Sequence, residues 1–148
     1  MVLVKNEALT GGKKVKGRKR HIVTDTQGHL LAVHVHAANI HDTIAGSSVF
    51  GRCLEQYPTV QGVCADAGYR KTFVETIQAV YDKTVEIVER LKEVKWAIIP
   101  KRWVVERTFS WMNGSRRLSK DYEISVSSAE TQVKISHCCT LFKRIQLS

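Results

Sequence analysis

Apolar residues recur along this chain with two different periods, and each change of period marks an element. Residues 21–23 and 30–36 suit strands. Between them Asp25, Thr26, Gln27 and Gly28 have turn chemistry, with glycine where a positive φ is tolerated, so the segment reads as a hairpin. In its second arm Leu31, Val33 and Val35 alternate with Ala32, His34 and His36, the pattern of a half-buried strand. Asp42 is placed to cap a helix over residues 43–56, which stops at Tyr57 and Pro58. Residues 60–65 form a short apolar run, a buried strand that ends at Asp66. Gly68 then turns the chain into a helix over residues 71–81. Residues 84–88 suit another strand. Val104, Val105, Phe109 and Met112 recur at helical spacing until Asn113 and Gly114 break the pattern. After a basic connector over residues 116–120, Ser127, Ser128, Ala129 and Glu130 read as a capping box. The helix they open would carry Val133, Leu141, Phe142 and Ile145 toward the core. This order predicts an α/β fold, a mixed sheet covered by helices.

Composition narrows the setting. At 148 residues and 43% hydrophobic content the chain suits one globular domain, residues 1–148. Twenty-three basic against 14 acidic side chains leave a net charge of +9, so a polyanion is the expected partner and nucleic acid the first candidate. No apolar run nears the roughly 20 residues that span a bilayer, and residues 1–12 lack the pattern of a signal peptide. The reading is cytoplasmic, without a membrane partner. Cys53, Cys64, Cys138 and Cys139 form no CxxC pair and are expected to be buried thiols.

Charge is densest at Lys13, Lys14, Lys16, Arg18, Lys19 and Arg20, six of the eight residues from 13 to 20. A solvated basic loop is the bland reading, a phosphate-contacting arm the favoured one, because the neighbouring glycines let backbone amides approach a phosphate. Asp66, at the carboxyl end of a predicted central strand, can face a cleft, although strand-end aspartates commonly form turns. Glu106 stands among apolar residues of a helix with Arg102 one turn earlier. The pair is either an ordinary ion pair or a carboxylate held ready for a hard cation shared with Asp66. His34, His36, His41 and Asp42 invite a zinc reading, but nothing fixes a third well-placed ligand, and His41 with Asp42 suits helix capping.

The ordered motifs Gly-Lys-Lys-Val-Lys-Gly-Arg-Lys-Arg-His at 12–21, Ala-Asn-Ile-His-Asp at 38–42, Ala-Asp-Ala-Gly-Tyr at 65–69 and Arg-Trp-Val-Val-Glu-Arg-Thr-Phe-Ser-Trp at 102–111 resemble the DDE transposases of bacterial insertion sequences, and residues 116–122 also fit. The resemblance covers nearly the whole chain. It implies a ribonuclease H-like sheet flanked by helices, and two aspartates and a glutamate that hold two Mg2+ or Mn2+ ions for DNA strand cleavage and transfer. Carried over by motif, Asp66 is the second acidic residue of that triad and Glu106 the third. Lys13, Lys14, Lys16, Arg18, Lys19, Arg20, Arg102, Arg107, Arg116 and Arg117 become DNA contacts. The implied partners are transposon ends and target DNA, with a homo-oligomer or a full-length transposase as a protein partner.

Ile99 and Asn113 stand where the family has tyrosine and lysine. Val4, Lys5 and Asn6 match the tail of the segment that holds the family's first aspartate, and residues 1–3 hold no acid. Neither Glu7 nor Asp25 occupies the place of that aspartate. The first strand is therefore expected to be truncated and the chain inactive alone. The alternatives are a noncatalytic DNA-binding transposon remnant or regulator, and a ribonuclease H-type nuclease of another lineage.

Overall fold

Val2, Leu3 and Val4 are three apolar residues in succession, a pattern suited to a strand covered on both faces. In the computed structural model they begin β1 (Val2–Ala8), the middle strand of a five-stranded sheet. The structure describes residues 1–8, 17–88 and 100–147, apart from the side chains of residues 100 and 102. β2 (Arg18–Thr24) pairs antiparallel with β1, and β3 (Leu30–Ala37) antiparallel with β2. On the other side β4 (Gly62–Asp66) runs parallel to β1, and β5 (Thr84–Val88) parallel to β4. The order is β3-β2-β1-β4-β5.

Helices cover both faces. α1 (Asp42–Gln56) and α2 (Thr72–Tyr81) lie on one, where Val2, Val4, Val23, Val63 and Ala65 meet Val49, Phe50, Phe73 and Ile77. α3 (Pro100–Asn113) and α4 (Val126–Gln146) lie on the other, where Leu3, Ile22, Val33, Val35 and Cys64 meet Val105, Phe109, Met112 and Val133. Strand residues of odd and even number thus serve two separate cores, and this alternation decides which side chains can share a site. Gly46 of α1 lets that helix approach closely: a Cβ there would lie 2.5 Å from the ring of buried Tyr69.

Several expectations are corrected. β3 is covered on both faces, by α1 and α4. An irregularity beside Val23 and Thr24 leaves Leu31 with Ala32 on the α1 side, apart from Val33 and Val35. The cap of α1 is His41, whose ring accepts from the Thr43 amide, because Asp42 is drawn instead to Lys19 at 2.8 Å. The cap of α4 is Ser125, two residues before the expected Ser127. Glu130 is engaged by β3, where it accepts from the Val35 amide at 2.9 Å. Val133 reaches the core, but Phe142 and Ile145 are exposed, as are Cys138 and Cys139. Only Cys53 and Cys64 are buried thiols, and burial pushes each up to about 11. Gly28 has the expected positive φ of 91°, whereas the turn into α2 places its positive φ on Lys71 and not on Gly68. No described helix is long and apolar enough to cross a membrane.

Candidate active site

Asp66 ends β4, and its Oδ1 accepts from the Gly68 amide at 3.0 Å, which fixes the carboxylate at the start of the turn. The β1–β4 register aligns Val4 with Ala65, so Lys5 is the strand neighbour of Asp66. Lys5 follows the parity of Leu3 and Asp66 that of Cys64, and both of those belong to the core under α3. Lys5, Asp66 and Val105 accordingly line one small depression.

Glu106 comes from α3 on the same side. Val105 and Phe109 bury that helix against the sheet, which leaves Glu106 at its flank, where Lys5 Nζ donates to Glu106 Oε1 at 2.6 Å. Lys5 also lines the neighbouring cleft of about 370 Å³ with Glu7, Glu106, Ser110 and Asn113. Two carboxylates 40 positions apart in sequence therefore stand on one face with a lysine between them.

Both carboxylates are hard oxygen donors of the kind magnesium and manganese take. The set as it stands does not fit a two-ion site. Among the described residues no three His, Cys, Asp or Glu side chains are grouped to hold a metal, and the ammonium of Lys5 supplies the positive charge beside Glu106. Glu7, the next residue of this parity on β1, is committed elsewhere. It accepts from buried Arg20 at 2.5 Å and from Asn113 Nδ2 at 3.0 Å.

The basic residues divide by partner. Arg20 is 1% exposed, held by Glu7 and Asn113 and set over the Phe109 ring, so the expectation of a phosphate contact there is corrected: its charge is spent inside the fold. Arg18 donates to Asp121 at 2.7 Å and to the Glu123 carbonyl, and Lys19 to Asp42. Arg107 donates to the Gln27 carbonyl at 2.7 Å. Arg117 pairs with Glu123 but keeps 61% of its side chain in solvent, and Arg116 is exposed. Lys13, Lys14 and Lys16 lie outside the described residues, as does the side chain of Arg102.

His21, His34 and His36 lie on the opposite face, the side of α1. The Ala37 carbonyl can only accept, so His36 Nδ1 carries the proton of their 2.8 Å bond. His36 Nε2 then accepts from His21 Nδ1 at 2.8 Å. This leaves His21 Nε2 a bare lone pair, buried and without a partner among the described residues. With His41 on the cap of α1, these bonds replace the zinc reading. Burial, and next the neighbouring His36 imidazole, lower His21 from 6.5 to about 3. The folded state therefore binds this proton less readily than the unfolded chain does. Its stability is complete above pH 6.5 and is lost as the pH falls toward 3. Between pH 6.5 and 5 the loss is about 2 kcal/mol, read by urea unfolding, and His21→Gln flattens the profile in part. Burial holds His34 and His137 down as well, and they act in the same direction.

Sequence reasoning left Lys5 without a role, although its alternation with Leu3 was readable once a strand was drawn there. It also missed the stacking of Trp103 and Trp111 on Arg107, whose spacing of four residues was the available signal.

Comparison with known proteins bears on this geometry. Residues 5–142 match the family model described as transposase DDE domain. Over 138 residues the chain is 30% identical to a Burkholderia cepacia protein assigned as the transposase for insertion sequence element IS402. The match takes in 84% of this chain and 62% of that protein, so the chain spans less than two thirds of this curated relative. In structure it is similar to the catalytic core domain of BIV integrase, with a TM-score of 0.58 over 92% of this chain and 79% of that one. At 10% identity this likeness speaks for the fold alone, a ribonuclease H-like mixed sheet.

Proposed function

We propose, from the premise that this chain belongs to the transposase DDE domain family, that it is a DNA-binding core segment of an insertion-sequence transposase and does not cut DNA efficiently by itself. The observation that carries this reading is the convergence of Asp66 and Glu106 on one face around Lys5. In the family, divalent ions on three carboxylates serve strand cleavage and transfer. The face described here offers Asp66 and Glu106 with Lys5 beside them, and its further carboxylate, Glu7, is engaged by Arg20 and Asn113. Asp66 and Glu106 are the site's acidic residues, and Arg116 and Arg117 are its most accessible cations among the DNA contacts expected from the sequence and described here. A net charge of +9 draws the chain to transposon ends and target DNA, and phosphate neutralisation by lysine and arginine needs no metal. The same charge and cleft suit a regulator that binds DNA, or binds full-length transposase, without cutting.

Two measurements on the whole chain test this. Duplex binding should weaken steeply with salt and survive Asp66→Asn and Glu106→Gln. Nicking of supercoiled plasmid should stay near background with either magnesium or manganese. Robust nicking abolished by Asp66→Asn would overturn the reading.

A further inference from the structure

Trp103, Arg107 and Trp111 follow one another at spacings of four along α3 and stack. The Arg107 guanidinium stands 4.6 Å from the centre of the Trp103 ring and 4.7 Å from that of Trp111, and Arg144 of α4 stands 4.4 Å over Trp111. Part of this ladder has an internal task. Arg107 donates to the Gln27 carbonyl and Thr108 to the Gly28 carbonyl, which ties α3 to the tip of the β2–β3 hairpin. That task accounts for Arg107 and for Trp111, whose ring lies against Gly28. It leaves Trp103 unexplained. Trp103 ends the stack, is 46% exposed, and precedes Glu106 by three residues, so it neighbours the candidate active site on the helix surface.

From this geometry we infer that the Trp103 end of the ladder is a stacking platform for an unpaired base of single-stranded DNA. Three features select that ligand. A guanidinium over one face orients the indole in advance, so little side-chain freedom is lost on binding. A flat exposed ring accepts the face of a base, and within a duplex those faces are covered by neighbouring bases, so only an unpaired base can use it. The cations interleaved with the rings, together with Lys143 and Arg144 in the last turn of α4, favour a strand that carries phosphates over an apolar peptide. The inference rests on the DNA-binding reading above and adds to it a preference for melted or frayed DNA beside Glu106.

The test uses the whole chain with fluorescein-labelled oligothymidylate and a blunt duplex of equal length, followed by anisotropy. Trp103→Ala should weaken single-strand binding about tenfold and change duplex binding less than about twofold. Trp103→Phe should keep most of the affinity, since a ring remains. Quenching of intrinsic tryptophan fluorescence by the single strand should shrink in Trp103→Ala. Equal losses for strand and duplex, or no loss for either, overturn the platform. If the wild-type chain binds duplex but not single strand, only this inference fails; if it binds neither, the DNA-binding reading fails with it.

Discussion

Lys5→Asp should raise the chain's affinity for Mn2+ at least about a hundredfold, because it exchanges the cation between two carboxylates for a third carboxylate. Lys5 is the strand neighbour of Asp66 and bonds Glu106 at 2.6 Å, so its charge competes with any ion that approaches either group. Two unit charges 4 Å apart at an effective dielectric near 20 interact by about 4 kcal/mol. The substitution alters the local charge by two units, so a hundredfold gain, about 2.7 kcal/mol, leaves room for repulsion among the three acids. Titration by calorimetry or by the manganese paramagnetic signal measures the gain. Lys5→Met, which removes the charge and adds no ligand, should gain less. If neither variant differs from wild type, Lys5 does not govern cation access to this cleft.

A second large effect is expected at the other end of the cleft. Glu7→Gln should cost about 2 kcal/mol of folding stability, since Glu7 is part exposed but its removal leaves the charge of buried Arg20 uncompensated. Arg20 is the group at stake: at 1% exposure its guanidinium bonds Glu7 and Asn113 in place of water, and among the described residues one of its nitrogens has no partner. Replacement of both members together, Glu7→Leu with Arg20→Met, should be much less costly, because an apolar pair of similar volume carries no stranded charge. Urea unfolding of the three variants decides the matter. A Glu7→Gln loss within about 0.5 kcal/mol would mean that water already satisfies Arg20.

Local patterns were legible in the sequence wherever the element depended on its own residues. β5 and the end of α3 at Asn113 lie where the hydrophobic spacing puts them, and Asp66 closes its strand as read. Misreadings came where a side chain had a better partner elsewhere in the fold. Lys19 drew Asp42 from the cap of α1, and the Val35 amide drew Glu130 from the cap of α4. The basic run showed its charge but not its destination. Alternation along β2 sends Arg18 and Arg20 to one face and Lys19 to the other, each to an acid distant in sequence. The residue pattern alone does not mark β1, since three apolar residues followed by Lys5, Asn6 and Glu7 have no period to test; only the family resemblance puts a first, truncated strand there, and in the structure it is the seven-residue Val2–Ala8. Its neighbours in the sheet give it its place and give Lys5 a position.

The central position of β1 also bears on how the molecule is made. Its residues leave the ribosome ahead of the strands it pairs with, yet one of its two hydrogen-bonding edges is filled by Val63, Cys64 and Ala65, which follow some sixty residues later. Until those emerge, the nascent chain can close the hairpin side while Val2, Leu3 and Val4 keep an open apolar edge, a template for pairing with other chains. Production of this protein should therefore benefit from slow translation, low temperature or chaperones that shield β1 until β4 follows.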